Sequence, residues 1–286
     1  MKKVRKAVIP VAGMGTRFLP VTKSVPKEML PIIDVPALHY IVEEAVNSGI
    51  EEILFITSPY KTVIENYFDR NFELEKRLEK SGKKEKIKMI EAIPNMCKFY
   101  YMRQGEPMGS GHAIKIAKEF INNEPFAVMY GDDLMKSNEP VLKQLIDMYE
   151  KYDSNIIGVQ KVKHEDVYKY GIIEYEDIET KKIKSLVEKP KIEDAPSDYA
   201  GVGRYIVKPE IFKELDEMLP SSNGEYQFTD AMLSLMKKQD FYACEFNGKY
   251  YDIGSQIGYL KANIEFALSR DDLKDNLKEY LKGLNI

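Results

Sequence analysis

A glycine-rich loop near the N-terminus has residues suited to binding phosphate. The loop, AGMGTR at 12–17, follows an apolar run, and its glycines let backbone amides approach an anion that Arg17 can neutralise. A second cation, Lys27, follows in a loop stiffened by Pro20 and Pro26. The glycine spacing matches neither the dinucleotide-binding fingerprint nor the P-loop, so a tight turn explains the loop as well as phosphate binding does.

Paired carboxylates mark the end of a later apolar run. Asp132 and Asp133 follow FAVMYG at 126–131. Two carboxylates in this position can cap a turn, or they can ligate a hard cation such as Mg²⁺. If the glycine-rich loop holds a triphosphate at the same sheet edge, the cation is favoured, because Mg²⁺ commonly binds through one or two carboxylates together with substrate phosphates.

Two more polar segments are candidates for ligand contacts. In the glycine-rich stretch 103–113, the Gln104 amide could pair with the edge of a base, although a flexible strand-to-helix connection also explains this composition. Glu188 and Lys189 follow a strand-like run, where they offer an acceptor for sugar hydroxyls and a cation for a phosphate. A surface ion pair is the alternative explanation of an isolated Glu-Lys.

The hydrophobic pattern of the first half predicts elements that place these segments at one sheet edge. Apolar runs typical of strands alternate with stretches whose apolar residues recur at helical spacing. The runs lie at 4–11, 51–57, 98–104 and 126–133. This alternation indicates a doubly wound α/β sheet, in which ligand sites form at the loops after the strands. A highly charged stretch at 73–88 predicts a solvated helical excursion broken at Ser81-Gly82.

The pattern changes after residue 165. Period-two alternation on both sides of a polar turn near 177–181 predicts a β-hairpin, and the runs at 199–207 and 241–254 predict further strands. Helical spacing at the C-terminus aligns Leu273, Leu277, Leu281 and Leu284 on one face, which favours packing against the body or against a second subunit. We expect one domain over 1–286, divided into a half over 1–165, a half over 166–254 and C-terminal helices over 255–286.

Composition excludes several classes of protein. The 42 basic and 46 acidic residues of the 286 give a net charge of −4, and the basic residues are scattered, which argues against a nucleic-acid partner. We expect no membrane span, because no apolar stretch approaches the roughly 18 residues that one requires. Cys97 and Cys244 are too few for a disulfide framework and lack metal-ligand spacing, which predicts a cytoplasmic protein.

The stretch 10–31 resembles the signature of sugar-phosphate nucleotidylyltransferases, in which a Gly-x-Gly-Thr-Arg loop is followed by Pro and later by Pro-Lys. The likeness extends over nearly the whole chain. It implies a nucleotidyltransferase fold, Rossmann-like and similar to glycosyltransferase A, whose mixed sheet carries an inserted antiparallel sugar-binding part. The implied reaction transfers UMP from UTP to glucose 1-phosphate by Mg²⁺-dependent in-line attack on the α-phosphorus.

The resemblance also implies roles for individual residues. Catalysis would rest on Arg17, Lys27, Asp132 and Lys189, and Mg²⁺ would be held by Asp132 and Asp252. The nucleotide would contact Ala12, Gly13, Gly15, Thr16, Glu28, Gln104, Gly109 and Asp133. The sugar phosphate would contact Gly171, Glu188, Lys189 and Gly203. The partners implied are these two small molecules and further copies of the chain, as a homodimer or homotetramer.

Three alternatives bear on this prediction. The same chemistry with dTTP is the nearest, because a single methyl group changes binding in a pocket by only about 1–3 kcal/mol. A non-catalytic nucleotide-sugar-binding regulator is the second, although the retained Arg17, Lys27, Asp132 and Lys189 argue against lost activity. An NAD-dependent oxidoreductase is the third, and the glycine spacing argues against it.

Overall fold

The structure is a computed structural model that describes residues 1–221 and 224–284. Its strands are β1 (Lys6–Pro10), β2 (Pro31–Ile32), β3 (Val35–Pro36), β4 (Glu52–Thr57), β5 (Lys98–Arg103), β6 (Phe126–Met129), β7 (Asp133–Lys136), β8 (Asn155–Lys161), β9 (Gly171–Asp177), β10 (Lys182–Glu188), β11 (Tyr199–Val207), β12 (Phe241–Glu245) and β13 (Lys249–Asp252). Its helices are α1 (Ala37–Asn47), α2 (Thr62–Phe68), α3 (Phe72–Lys80), α4 (Lys84–Ala92), α5 (Ser110–Ile116), α6 (Lys118–Ile121), α7 (Val141–Tyr152), α8 (Ile211–Glu217), α9 (Phe228–Met236), α10 (Gln256–Ala267) and α11 (Lys274–Gly283).

Nine strands form one mixed sheet in the order β5-β4-β1-β6-β11-β8-β12-β10-β9. The first four in this order run parallel, and β11 runs antiparallel to both of its neighbours β6 and β8. The predicted mixed α/β fold is confirmed. From β1 the chain continues to β4 on one side and later to β6 on the other, so a crevice opens at the carboxyl ends of these strands, where doubly wound sheets bind ligands.

Both faces of the sheet are covered, because side chains along a strand alternate between the faces. In β1, Ala7 and Ile9 pack with α1 and α7 in one core cluster, whereas Val8 packs with α5, α8 and α9 in the other. All three side chains are fully buried. Burial on both faces accounts for the continuous apolar runs of the parallel strands, which position the loops that follow them.

The predicted hairpin is present, as β9 and β10 joined by a turn over 178–181. It is part of the main sheet, because β10 pairs with β12 and β9 also pairs with β11 at Ala200 and Gly201. The five strands β11, β8, β12, β10 and β9 therefore close a ring beside the parallel strands. The two predicted halves thus share one continuous sheet.

The prediction of a single strand over 126–133 is wrong in its extent. β6 ends at Met129, the chain turns through 130–132, and β7 pairs with β13 in a separate two-stranded sheet. The turn depends on Gly131, since a Cβ there would lie 2.8 Å from Val11 Cγ1. The stretch of helical spacing between the runs at 98–104 and 126–133 forms two short helices, α5 and α6.

Other expectations are confirmed. The charged stretch forms α3 and α4, which are broken at Ser81-Gly82 as expected. The C-terminus forms α10 and α11, and residues 285–286 of the predicted 255–286 segment lie outside the described residues. Within the ranges that the structure describes, no helix combines the length and apolar character needed to cross a membrane.

Candidate active site

A cavity of about 900 Å³ opens at the carboxyl ends of the central strands. It brings together residues that are distant in the sequence but that were predicted to form one site. Those lining it are Arg17, Asp132, Asp133, Gly171, Glu188, Lys189, Gly203 and Asp252. The other predicted residues lie in loops beside the cavity: Ala12, Gly13, Gly15, Thr16, Lys27 and Glu28 follow β1, and Gln104 and Gly109 follow β5.

The first loop is shaped by two glycines with different surroundings. Gly13 has no heavy atom within 4 Å of where a Cβ would lie, so space is left beside the backbone. Gly15 adopts a φ of +66°, and a Cβ there would lie 3.1 Å from Lys27 Cβ. A left-handed glycine thus lets this loop pack closely on Lys27. Thr16 then begins the single 3₁₀ turn that carries Arg17.

Both predicted phosphate-binding cations donate hydrogen bonds within the site. Arg17 Nη1 donates to Gly254 O at 3.4 Å, and Lys27 Nζ donates to Asp132 Oδ2 at 2.5 Å. Burial acts to raise the pKa of Asp132, but the opposing charges of Lys27 and Arg17 hold this pKa below its usual value. Asp132 is therefore ionised at neutral pH.

Asp132 and Asp252 converge although 120 residues separate them in the sequence. Asp133, next to Asp132, pairs with Asp252 across β7 and β13. A Cβ on Gly254 would lie 2.7 Å from Asp132 Oδ2 and 3.0 Å from Asp252 Oδ1, so both oxygens approach one point. Burial, and next the charge of Asp132, raise the pKa of Asp252. A cation between the two carboxylates would relieve this repulsion.

Asp133 is held by the scaffold of the same turn. Its Oδ1 accepts a hydrogen bond of 2.8 Å from the Tyr250 hydroxyl, and its backbone carbonyl accepts one of 2.8 Å from Arg204 Nη2. Burial, and next the charge of Asp132, raise the pKa of Asp133 to about 7. These contacts give Asp133 a structural reason for its position, and its predicted contact with the nucleotide stays a prediction.

Arg204 lies beneath this turn with a fully buried side chain. Its guanidinium donates to both carboxylate oxygens of Glu44 in α1, and Glu44 Oε1 also accepts from Leu142 N at the start of α7. This buried ion pair joins the Asp132-Asp133 turn to two helices. The sequence did not predict these contacts. The one indication is that Arg204 stands within the apolar run VGRYIV, where a buried arginine needs a partner.

The loop predicted to contact the base is connected to the segment that precedes α9. Gln104 Nε2 donates to Gly109 O at 3.2 Å and lies 2.9 Å from His112 Nδ1. Gly111 N donates to Tyr226 O at 2.7 Å, and Tyr226 N donates to Met108 O at 2.9 Å. Gly109 must be glycine here, since its φ is +98° and a Cβ would lie 2.6 Å from Tyr226 O.

The opposite wall of the cavity carries the predicted sugar-phosphate residues. Gly171 begins β9, and a Cβ there would lie 3.2 Å from Glu188 Oε2. Lys189 adopts a φ of +45°, and its backbone N–H donates to Tyr170 O at 2.9 Å. Lys189 Nζ lies 3.6 Å from Glu188 Oε1, and the lysine side chain is 59% exposed. The Lys189 ammonium is therefore accessible to an incoming anion.

The model of the nucleotidyl transferase family matches residues 6–268. The chain belongs to this family. Its sequence is 48% identical over 286 residues to UTP–glucose-1-phosphate uridylyltransferase of Bacillus subtilis (strain 168), and the match covers 99% of this chain and 98% of that protein.

Two solved structures resemble this nucleotidyl transferase over nearly its full length. A UDP-glucose pyrophosphorylase complexed with UDP-glucose has a TM-score of 0.86 and 43% identity, covering 93% of this chain and all of that one. A UTP-bound UGPase from Acinetobacter baumannii has a TM-score of 0.87 and 36% identity, covering 99% of this chain and all of that one.

The cavity of this nucleotidyl transferase is lined by cations and carboxylates, and neither Cys97 nor Cys244 is among its lining residues. Burial raises the pKa of both Cys97 and Cys244 to about 12, so both thiols are protonated at neutral pH. The arrangement of cations and carboxylates suits the positioning of anionic substrates. The sequence pattern did not reveal the ion pair of Arg204 with Glu44. It also pointed to neither Tyr250 nor the buried Lys61, because neither lies in a recognisable motif.

Proposed function

We propose that the chain transfers UMP from UTP to glucose 1-phosphate, which yields UDP-glucose and pyrophosphate. One observation carries this proposal: a single cavity holds Arg17 and the Asp132 and Asp252 carboxylates on one side and Glu188 with Lys189 on the other. The relatives named for this reaction, and the neighbours bound to UTP and to UDP-glucose, support it.

The reaction joins two anions, so charge is the main obstacle. A phosphate oxygen of glucose 1-phosphate attacks the α-phosphorus of UTP in line; a new P–O bond forms as the bond to the bridging oxygen breaks, and pyrophosphate leaves with that electron pair. No proton has to move in this step. Positioning and charge neutralisation therefore do most of the work.

The half over 1–165 would bind the nucleotide. Arg17 and Lys27 would hold the triphosphate and stabilise the leaving pyrophosphate, with Gly15 and Thr16 shaping the loop. Lys27 Nζ donates a hydrogen bond to Asp132 in the structure, so its ammonium already lies beside the carboxylate that would hold the cation. Ala12, Gly13, Glu28, Gln104 and Gly109 would form the base subsite, and Asp133 would also contact the nucleotide.

A divalent cation fits the residues present. Asp132 and Asp252 supply hard oxygen ligands that approach one point beside Gly254, where no Cβ intrudes. Over the ranges 1–221 and 224–284 no group of three or more His, Cys, Asp or Glu forms a complete metal cage. Two carboxylates completed by substrate phosphates are the arrangement that Mg²⁺ prefers. When bound, Mg²⁺ would neutralise phosphate charge.

The half over 166–254 would bind the sugar phosphate. Glu188 would accept hydrogen bonds from sugar hydroxyls, and Lys189 would hold the phosphate whose oxygen attacks. Gly171 and Gly203 line this wall, where Gly171 lets the Glu188 carboxylate come close to the backbone and Gly203 does the same for the Asp133 carboxylate. The attacking phosphate would thus face the α-phosphorus across the cavity.

The residue assignment is tested by Arg17→Ala and Asp132→Ala, with Asp147→Ala on the exposed face of α7 as the control. We expect turnover of the two site variants to fall at least about a hundredfold, since each removes charge stabilisation from the transition state. The control should keep its activity. Circular dichroism would verify folding. A folded site variant with unchanged turnover would refute the assignment.

We further propose that the chain acts in the cytoplasm as a homodimer or homotetramer. Cys97 and Cys244 are free thiols, which suits a reducing compartment. On α10, Leu260 and Ile264 are exposed on adjacent turns. Such an apolar surface supports contact with a second copy. Cell fractionation would test the location.

A further inference from the structure

Lys61 is a buried cation that lies outside every predicted motif. It precedes α2 in the turn after β4, and its side chain is 8% exposed. Its ammonium donates to Val11 O at 2.6 Å and to Glu28 Oε2 at 2.8 Å. The Glu28 side chain is itself 1% exposed. The pair therefore lies wholly inside the protein.

The ammonium joins three segments that form the base side of the site. Val11 immediately precedes the Ala12-Gly13 loop. Glu28 follows Lys27, whose ammonium reaches Asp132. Lys61 itself follows β4, whose last residue, Thr57, accepts a backbone hydrogen bond of 2.8 Å from Gln104 N. One side chain thus joins the Ala12-Gly13 loop and the Glu28 segment to the turn after β4, and the end of β4 holds Gln104 through its backbone.

Stability alone is a weak reason for such a pair. Burial raises the pKa of Glu28 and lowers the pKa of Lys61, which shows that both charges lose hydration. A buried ion pair often contributes no more to stability than apolar residues of the same size would. The main effect of the Lys61-Glu28 pair is then on the relative positions of the segments that it joins. Misplacement of a subsite by about 1 Å can reduce activity a hundredfold.

We propose that Lys61 is a positioning residue that sets the affinity for the nucleotide without touching it. It holds the Val11 carbonyl and the Glu28 carboxylate at a fixed distance from each other, so the base subsite is formed before the substrate arrives. This rests on the proposed function. Lys61 donates its hydrogen bonds to Val11 and Glu28 and not to Glu188 or Lys189, so binding of the sugar phosphate should not depend on it.

The test compares the two substrates in Lys61→Met and in Lys61→Met/Glu28→Gln, which leaves no unpaired buried carboxylate. Because Glu28 itself belongs to the proposed base subsite, the double variant is compared with Glu28→Gln alone. We expect the KM for UTP and the Kd of Mg–UTP measured by calorimetry to rise at least tenfold in both variants. The KM for glucose 1-phosphate should change less than twofold. Lys238→Met is the matched control, because Lys238 also pairs with a buried glutamate, Glu214, far from the cavity. Its KM for UTP should be unchanged.

Two results would overturn the inference. One is a KM and Kd for UTP within twofold of the wild-type values in a folded variant. The other is an equal change in both KM values, which would indicate general destabilisation. Calorimetry does not need turnover, so it still tests Lys61 if the wild-type protein binds UTP without releasing pyrophosphate. In that case only the proposed reaction would fail.

Discussion

At Gly203 the backbone adopts a φ of +43°, a conformation that favours glycine. A Cβ at this position would lie 1.9 Å from Asp133 Oδ2. The Asp133 carboxylate therefore occupies the space where a side chain would otherwise begin. Asp132, the preceding residue, belongs to the same turn.

Gly203→Ala should lower the free energy of unfolding by about 3 kcal/mol, from backbone strain and the clash together. Gly82→Ala is the control, because Gly82 has a φ of +69° but no heavy atom within 4 Å of the added Cβ. It should cost about 1 kcal/mol from strain alone. Urea denaturation would measure both values. An equal loss in the two variants would show that the Asp133 contact does not matter.

Sequence reasoning identified Arg17, Lys27 and Asp132 because each lies in a short motif whose chemistry can be read locally. It did not find Lys61 or the role of Arg204, because the role of each depends on an ion pair with a glutamate that is distant in the sequence. Glu28 lies 33 residues from Lys61, and Glu44 lies 160 residues from Arg204. No local pattern encodes such a pairing, so only the folded chain shows it.

At the scale of elements, hydrophobic periodicity predicted most helices and strands of the first half, because a strand buried on both faces has a continuous apolar sequence. It failed at 126–133. There the chain leaves the main sheet after Met129, because Gly131 packs against Val11. β7 then pairs with β13, which lies more than a hundred residues later in the sequence. Apolar character continues through this turn, so the pattern gave no sign of it.

That departure from the main sheet has a chemical consequence. If β6 continued straight, Asp132 would follow the sheet and could not meet Asp252. Because β7 pairs with β13, Asp133 faces Asp252 in register, and the Asp132 and Asp252 carboxylates converge beside Gly254. The proposed cation site is thus a product of two short strands that lie outside the main sheet.

At the scale of the whole molecule, one continuous sheet carries both proposed subsites. The parallel strands position the loops after β1 and β5, and the ring of strands around β11 positions Glu188 and Lys189. The alternating pattern predicted the first part. The closure of β9 onto β11 could not be predicted, because the two strands pair over a short register, Ala200 with Ile172 and Gly201 with Gly171.

The proposed self-association also belongs to this scale. Light scattering of the purified protein should give a mass of two or four copies. Leu260→Lys should shift the mass towards one copy, because it places a charge on the exposed apolar face of α10. Met89→Lys on α4, where the methionine is 69% exposed, is the control and should leave the mass unchanged. A wild-type mass of one copy would contradict the proposal.

Pyrophosphate release tests the central claim most directly. The protein would be mixed with glucose 1-phosphate and Mg²⁺, and UTP, dTTP, ATP, CTP and GTP would be supplied in separate reactions, each with a metal-free control. We expect fast, metal-dependent release with UTP, slower release with dTTP and none with the other three nucleotides. Silence with every nucleotide, despite tight binding of UTP or UDP-glucose, would contradict the account and would indicate a nucleotide-sugar-binding regulator.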